Sequence, residues 1–536
     1  MYRNSKKSIV LPLIISISLL VGIWAGSFFS RETVHYVNNK SYSSGKLDRI
    51  LDLIDYNYVD SVNVSKITER VIPDLLKDLD PHTVYIPAKD LENVNEDLYG
   101  KFGGIGVQFI MHQDTVVVAK VISGGPASKV DIKAGDRIVK LNDTIIAGVK
   151  KKNTDIMKSM RGELGTSLTI HIKRRGHKKF LKKELLRAII PIESVDVAYM
   201  INSDLAYIKV DKFAYRTYSE FSKALGKLKA KGMKKLIVDL RGNTGGFLGN
   251  AINMVNEFLP DKKLIVYTEG KSSPKSEYFS NGSGRYKDIK LVVLIDESSA
   301  SASEIFAGAI QDNDRGFIIG RRSFGKGLVQ QQRDLPDGSA LRLTIARYYT
   351  PSGRCIQKSY TKGKKDYYSE IFSRFEHGEF TSRDSIHFND SLKYKTSKGR
   401  VVFGGGGIMP DYFVPMDTTK ITRYLTRVTD KALIYNFAFT YVDRNRKSFK
   451  GKDDYKSILD YSKKLNLFNK FIKFSSNKGV KASSKDIKES REILETKLYS
   501  YIGYFLIDNE GMYPIIRPLD KTIDKAIEVL NSDKNL

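Results

Sequence analysis

Three short, largely apolar runs mark the middle of the chain, at residues 235–241, 291–295 and 317–319. Continuous runs of this length are typical of buried strands in a parallel sheet. Apolar residues at helical spacing follow the first two runs, over residues 251–258 and 302–311. The pattern predicts an α/β fold built from consecutive strand–helix units.

The turns after the second and third runs carry the candidate chemistry. Residues 298–304 read Ser-Ser-Ala-Ser-Ala-Ser-Glu, and residues 324–330 read Phe-Gly-Lys-Gly-Leu-Val-Gln. A serine is a weak nucleophile until a base takes its proton, and a lysine does this in serine–lysine pairs. That lysine must be neutral, so burial has to lower its pKa from about 10.4. Gly325 and Gly327 allow a sharp turn, and their apolar neighbours can supply a dry pocket.

The turn after the first run is rich in glycine, over residues 242–246. A strand, a glycine turn and a helix expose amide N–H groups, which can stabilise the charge on an attacked carbonyl. Each motif also has an ordinary interpretation. Serines at helix starts are common N-caps, and residues 320–326 imitate a phosphate-binding loop, although Gly327 stands where that loop needs Ser or Thr. The three motifs together favour catalysis.

In this order the motifs resemble the carboxyl-terminal processing proteases, the serine–lysine peptidases of family S41, over about residues 79–411. Residues 80–83, 348–354 and 404–411 also match family signatures. The resemblance implies an α/β multidomain protein with a crotonase-like (ClpP/crotonase) βα core and a PDZ domain inserted before it.

The resemblance also assigns roles to individual residues. The family places its nucleophile 25 positions before the lysine, which selects Ser301 over Ser299 and Ser303. Gln330 is expected one helical turn after the lysine, where it would hold the amine. The implied site residues are the nucleophile Ser301, the general base Lys326, the supporting Gln330 and, for the oxyanion hole, the amide of Ala302 and one from Gly245 or Gly246.

Residues 99–176 resemble a PDZ domain. The resemblance rests on residues 101–107, 124–127 and 134–142, and it implies a carboxylate-binding loop at Gly104, Ile105, Gly106 and Val107. Such a loop captures the terminal carboxylate of a peptide while the peptide adds a strand to the sheet. A β-barrel module without a ligand is the alternative. Arg161, between the PDZ helix and its last strand, is a candidate relay to the protease core.

The N-terminus predicts a membrane anchor. Arg3, Lys6 and Lys7 precede an apolar stretch that ends near Phe29, and its length suits a bilayer span. The positive flank stays inside, so we expect an inner-membrane anchor at 1–29 with the catalytic part on the periplasmic, extracytoplasmic side. A cleaved signal peptide and a soluble periplasmic protein are the alternative.

The remaining segments are assigned by pattern. We expect an N-terminal helical region at 30–98, a protease core at 177–416 with a polar insertion at 361–400, and a C-terminal helical domain at 417–536. In relatives the region before the core often makes dimer contacts, so a homodimer is one expected partner. An adaptor is another, and the C-terminal domain could serve substrate delivery, dimerisation or partner docking.

Composition narrows the partners. The net charge is +28, but no stacking or recognition motif accompanies the basic residues, so nucleic acid is not expected. A single cysteine excludes an intrachain disulfide framework. His377 lacks the His-Glu-x-x-His spacing, and neither a metal nor a cofactor is predicted. The expected substrate is an unstructured protein C-terminus. A PDZ scaffold without catalysis and a binding protein for envelope glycans or lipids are the alternatives.

Overall fold

The computed structural model describes residues 16, 18, 19, 21, 22, 44–387 and 389–532. The predicted anchor at 1–29 therefore lies almost wholly outside the described residues. Within the described part of the chain, no helix has both the length and the apolar character needed to cross a membrane.

The chain divides into two units, residues 1–75 and 76–536. The first contains helix α1 (Ser44–Asn57) and nearly all of α2 (Val64–Leu76). The second begins with strand β1 (Val84–Ile86) and helix α3 (Ala88–Tyr99).

A small β-rich module follows. Its elements are β2 (Lys101–Gly104), β3 (Val107–His112), β4 (Thr115–Val121), α4 (Pro126–Lys129), β5 (Arg137–Leu141), β6 (Thr144–Ile145), α5 (Asn153–Met160), β7 (Ser167–Lys173), β8 (Leu181–Leu186) and β9 (Ala188–Pro191). Strands β3-β4-β5-β7-β8 form one sheet with β3 at its end. Because β8 pairs with β7 along its whole length, the module continues past the predicted boundary at 176.

The protease core is an α/β structure. Its elements are β10 (Val195–Met200), β11 (Leu205–Val210), α6 (Thr217–Ala230), β12 (Lys235–Asp239), α7 (Leu248–Asn256), β13 (Leu264–Gly270), β14 (Ser273–Phe279), β15 (Lys290–Ile295), α8 (Ala302–Asp312), β16 (Phe317–Gly320), β17 (Leu328–Asp334), β18 (Ala340–Tyr349), α9 (Lys364–Glu376), β19 (Lys393–Lys395), β20 (Val401–Phe403) and β21 (Tyr412–Phe413). Strands β11-β12-β15-β16-β21 run parallel, and β10 is antiparallel at the edge. The expected strand–helix units are present, and their crotonase-like classification stays a prediction.

A second sheet of the core contains β1, β18, β13 and β14, with β17 paired to β18. Strand β18 is therefore the meeting point of β1, β13 and β17. This sheet carries one wall of the candidate site, because β17 follows directly after the lysine turn.

Seven helices complete the described chain: α10 (Arg423–Asp430), α11 (Leu433–Asn445), α12 (Tyr455–Lys464), α13 (Leu467–Asn477), α14 (Ser484–Ile507), α15 (Asn509–Ile516) and α16 (Lys521–Asn531). Most of them share a core of their own, but α16 packs on the parallel sheet through Ile523, Ala526 and Leu530. Both faces of a parallel sheet are apolar and need cover. Helices α6 to α8 cover one face, and α16 covers the other.

Candidate active site

Ser301 lies at the turn between β15 and α8, at the carboxyl end of the parallel sheet. Strands β12 and β15 pair with Asp239 opposite Leu294, so the loops that follow both strands lie at the same edge. The Ser301 backbone has φ 56° and ψ −115°, which a residue with a Cβ rarely adopts. Strain of this kind recurs where a strand-to-helix turn must present a side chain to a site.

Glu304, in the first turn of α8, is fully buried and fixes this arrangement. Its Oε2 accepts hydrogen bonds from the N–H of Ser301 at 2.8 Å and from the N–H of Lys326 at 2.9 Å. Its Oε1 accepts from the Gly325 N–H at 2.7 Å and from the Ser323 hydroxyl at 2.6 Å. Burial raises the pKa of Glu304, and these four bonds oppose the rise because they stabilise the charged form. One carboxylate thus ties the serine turn to the lysine turn.

Lys326 lies in the turn between β16 and β17. Burial and, after it, the positive charge of Arg342 lower its pKa to about 8. Within the described residues, no hydrogen bond or ion pair engages its ammonium group. The buried Tyr348 hydroxyl donates to the Lys326 carbonyl at 2.6 Å and lies 3.1 Å from the Ser301 carbonyl. The backbone is therefore held, while the amine remains available.

A cleft of about 1000 Å³ brings the predicted residues together. Ser301, Lys326 and Gln330 line it, as do Gly245 and Gly246. In the part of the chain that is described, no hydrogen bond joins the side chains of Ser301 and Lys326. The cleft holds the two groups in one space without an established contact between them.

The glycine turn after β12, residues 242–246, is called the core glycine loop. A Cβ on Gly245 would lie only 2.7 Å from the Ser301 Cβ, so the loop and the serine turn approach as closely as glycine allows. The Gly245 N–H donates to Asn243 Oδ1 at 2.8 Å. By contrast, the Gly246 N–H has no acceptor among the described residues. The Ala302 N–H, at the first position of α8, is one of the donors that a helix start leaves unpaired.

Gln330 corrects one expectation. It lies on β17 and not on a helix, because residues 328–334 pair with β18. The expected helical turn after the lysine is wrong. Gln330 still lines the cleft, and its Nε2 donates to Thr344 Oγ1 at 3.3 Å.

Comparisons with known proteins agree with this geometry. The sequence matches the model of peptidase family S41 at residues 204–366, a PDZ domain model at 103–185, and a family of unknown function at 424–508. It is 37% identical to a carboxy-terminal-processing protease of Bartonella bacilliformis, over 60% of this chain and 74% of that protein. This chain belongs to peptidase family S41.

A second relative agrees. The S41 chain is 33% identical to the carboxy-terminal processing protease CtpB of Bacillus subtilis, over 58% of this chain and 65% of that one. Among solved structures, the photosystem II D1 C-terminal processing protease is 26% identical, covers 58% of this chain and 90% of its own, and has a TM-score of 0.33. The protein is thus a C-terminal processing protease that carries a PDZ domain.

The second predicted binding feature is the loop at residues 104–107, called the PDZ loop. The N–H groups of Ile105 and Gly106 have no acceptor among the described residues. Strand β3, which follows this loop, lies at the end of its sheet. The two donors without acceptors and the end strand match what a peptide terminus needs.

Arg161, directly after α5, contacts strand β2, which precedes the PDZ loop, and helix α3. Its guanidinium sits 4.4 Å from the ring centre of Phe102 and donates to Glu96 Oε2 at 2.7 Å. Glu96 belongs to α3, whose residues Leu98 and Tyr99 line the cleft. The relay remains a prediction. Arg161 contacts a strand beside the PDZ loop and a helix that contributes to the cleft.

Sequence reasoning gave no role to two groups at the site. Glu304 completes the pattern Ser-x-x-Glu from Ser301, which signals reciprocal bonding at a helix start and could have revealed it. His82 lines the cleft with its Nε2 3.0 Å from the Tyr367 hydroxyl. Burial, then the charge of Lys326, lowers the pKa of His82 to about 3, so the imidazole is neutral. Its signature, residues 80–83, was matched without a function.

Proposed function

We propose that this S41 peptidase cleaves the tails of unstructured proteins with a Ser301–Lys326 dyad. The observation that carries the proposal is the shared carboxylate of Glu304, which binds the backbone N–H of both residues. Two turns from different parts of the chain are thereby held as one unit, and both side chains line one cleft.

In this mechanism neutral Lys326 takes the proton of Ser301 as Ser301 attacks a peptide carbonyl. The N–H groups of Ala302 and Gly246 stabilise the oxyanion. Gly246 is preferred over Gly245 because the Gly245 N–H already donates to Asn243. An acyl-enzyme forms, and water activated by the same lysine releases it. Because the base must be neutral, kcat/KM rises with pH through about 8.

Substrate capture belongs to the PDZ loop. The N–H groups of Ile105 and Gly106 bind the terminal carboxylate. The substrate tail then pairs beside β3 as an added strand before the rest of the substrate enters the cleft. Gly104, the last residue of β2, and Val107, the first residue of β3, are the two ends of this loop.

The test follows the intact mass of a loosely folded protein with an apolar C-terminal tail. Wild type, Ser301→Ala and Lys326→Ala are compared over time, with and without a chelator. We expect cleavage by wild type alone, unchanged by EDTA. Tail-peptide binding without cleavage by wild type would instead favour a scaffold, and salt-sensitive glycan binding would favour an envelope-binding protein.

We also propose that residues 1–29 anchor the enzyme in the inner membrane with the catalytic part outside the cytoplasm. The basic flank and the apolar stretch support this topology. The mass of the N-terminal peptide after membrane isolation distinguishes an uncleaved anchor from a cleaved signal peptide.

A further inference from the structure

The starting point is an irregularity in the pairing of β17 with β18. Val329 faces Ala346 and Gln330 faces Thr344, so one residue of β18 is skipped at this point. Such bulges turn side chains toward sites that regular pairing would not reach. Gln330 lines the cleft while its Nε2 remains 3.3 Å from Thr344 Oγ1.

Thr344 is in turn bound to Asp80, which precedes β1. The Thr344 hydroxyl donates to Asp80 Oδ1 at 3.0 Å. The same Oδ1 accepts from the N–H of His82 at 2.8 Å and from the N–H of Thr83 at 3.0 Å. Backbone N–H groups only donate, so Oδ1 serves as an acceptor for all three partners.

The direction of each hydrogen bond then determines the orientation of the Gln330 side-chain amide. Since the Thr344 hydrogen is directed to Asp80, the Thr344 oxygen accepts from its other neighbour. That neighbour must present an N–H, so the Gln330 NH₂ group faces Thr344 and its Oε1 faces away. Without Asp80, the Thr344 hydroxyl could donate to Gln330 and the amide could take either orientation.

We propose that Asp80, acting through Thr344, is a positioning residue that sets the Gln330 Oε1 toward the lysine amine. Among the described residues no hydrogen bond reaches the Lys326 amine. In the proposed reaction an amine N–H donates to Oε1, and the nitrogen lone pair is left directed at Ser301. This inference rests on the proposed Ser301–Lys326 reaction. It extends that reaction by giving the segment at residues 80–83 a role in orienting the base.

Activity tests the inference through Thr344→Val and Thr344→Ser in the full-length protein. We expect Thr344→Val to lower kcat roughly tenfold with KM unchanged, about the effect of one lost hydrogen bond. Thr344→Ser keeps the hydroxyl, so its kcat should stay close to that of wild type. In a Gln330→Ala background, Thr344→Val should lower kcat no further, because the hydrogen bonds from Asp80 and Thr344 act through Gln330. An equal loss in both backgrounds would overturn the proposal.

A second measurement needs no catalysis. In protein labelled with ¹⁵N-glutamine, the Gln330 side-chain NH₂ signals are identified by their absence from Gln330→Ala. We expect the shift of the hydrogen-bonded proton to change in Thr344→Val and to persist in Thr344→Ser. Unchanged signals in Thr344→Val would contradict the proposal. An inactive wild type would count against the proposed peptidase reaction alone, since these signals still report the amide orientation.

Discussion

The core glycine loop and the PDZ loop offer the same chemical group in two different settings. Both contain glycines with positive φ, at 143° for Gly246 and 77° for Gly106, and both present N–H groups without acceptors among the described residues. One loop lies against Ser301 and Lys326, whereas the other leads into an end strand. The first can stabilise a charge that forms during a reaction, and the second a charge that a ligand brings.

Their supports differ accordingly. Asn243 of the core glycine loop donates to the Val210 carbonyl, and its carbonyl accepts from the Ala300 N–H and the Ser303 hydroxyl. The PDZ loop is held by main-chain bonds to the carbonyls of Ile105 and Gly106, each 2.9 Å long. Transition-state stabilisation needs donors fixed before the charge appears. A binding loop tolerates more adjustment, so disturbing the two loops should have effects of different size and kind.

The largest effect is expected for Glu304→Gln, which disturbs the catalytic side alone. An amide can accept at one end only, so two of the four donors now bound to Glu304 would face an NH₂ group. We expect kcat to fall roughly 10²- to 10³-fold because the two turns lose their common support. Steady-state kinetics on a short peptide would measure this loss.

The matched control is Glu297→Gln. Glu297 pairs with Arg321 at 2.7 Å at the same sheet edge but does not bind the serine or lysine turn. The kcat of the Glu297→Gln variant should stay within a few-fold of the wild-type value. Equal losses in both variants would show that Glu304 has no special part in joining the turns.

Part of this site could be predicted from local sequence. Ser301, Lys326 and the core glycine loop follow three apolar strands, and parallel pairing brings the ends of such strands to one edge. Strand–helix periodicity was therefore enough to bring the three turns together, whereas the choice of Ser301 over Ser299 and Ser303 came from the family resemblance.

Other parts depend on pairing between distant segments. Gln330 was expected one helical turn after Lys326 because it lies four positions later, and only the ladder with β18 makes it part of a strand. Asp80 reaches Thr344 across 264 positions of sequence. Local propensity carries no information on such contacts, and the charges that converge on Lys326 are equally non-local.

On the PDZ side, Gly106→Ala should weaken tail binding roughly tenfold. The position has φ 77°, which costs an alanine about 1–2 kcal/mol, and the new Cβ would lie 3.3 Å from Ile190 Cδ1. We expect KM for tailed substrates to rise while kcat on a short peptide stays the same. Gly176→Ala is the control, since it has φ 84° in the same domain with open space around the Cβ. A loss of kcat in Gly106→Ala would mean that the loops are not separable.

A smaller effect is expected where the two loops communicate. Arg161→Ala removes the ion pair with Glu96 and the contact with Phe102. The relay hypothesis expects added tail peptide to stimulate cleavage, and it expects Arg161→Ala to lower that stimulation several-fold, the size of a typical coupling between sites. Glu96→Gln should reproduce the loss, and Lys182→Ala, on an exposed strand, should not. Stimulation that survives in Arg161→Ala would end the relay hypothesis.

The smallest expected effect is a shift in pH dependence with Arg342→Gln. Burial is the main cause of the low pKa of Lys326, about 8, and the charge of Arg342 adds to it. Removing that charge relieves repulsion on the ammonium, so the pKa of Lys326 rises and the acid limb of kcat/KM moves to higher pH. Arg342→Lys keeps the charge and should leave the limb nearly in place.

Arg342→Gln also distinguishes the two loops by pH dependence, which we expect for cleavage but not for tail binding. Tail affinity depends on amide N–H groups and on a terminal carboxylate whose pKa is about 3.5, and neither titrates between pH 6 and 9. Tail binding should therefore be flat over that range in wild type and in Arg342→Gln alike, while cleavage changes with pH in both. An acid limb that stays in place in Arg342→Gln, or moves to lower pH, would show that the charge of Arg342 does not reach Lys326. Tail affinity that follows the cleavage profile would show that the base of the reaction also governs capture.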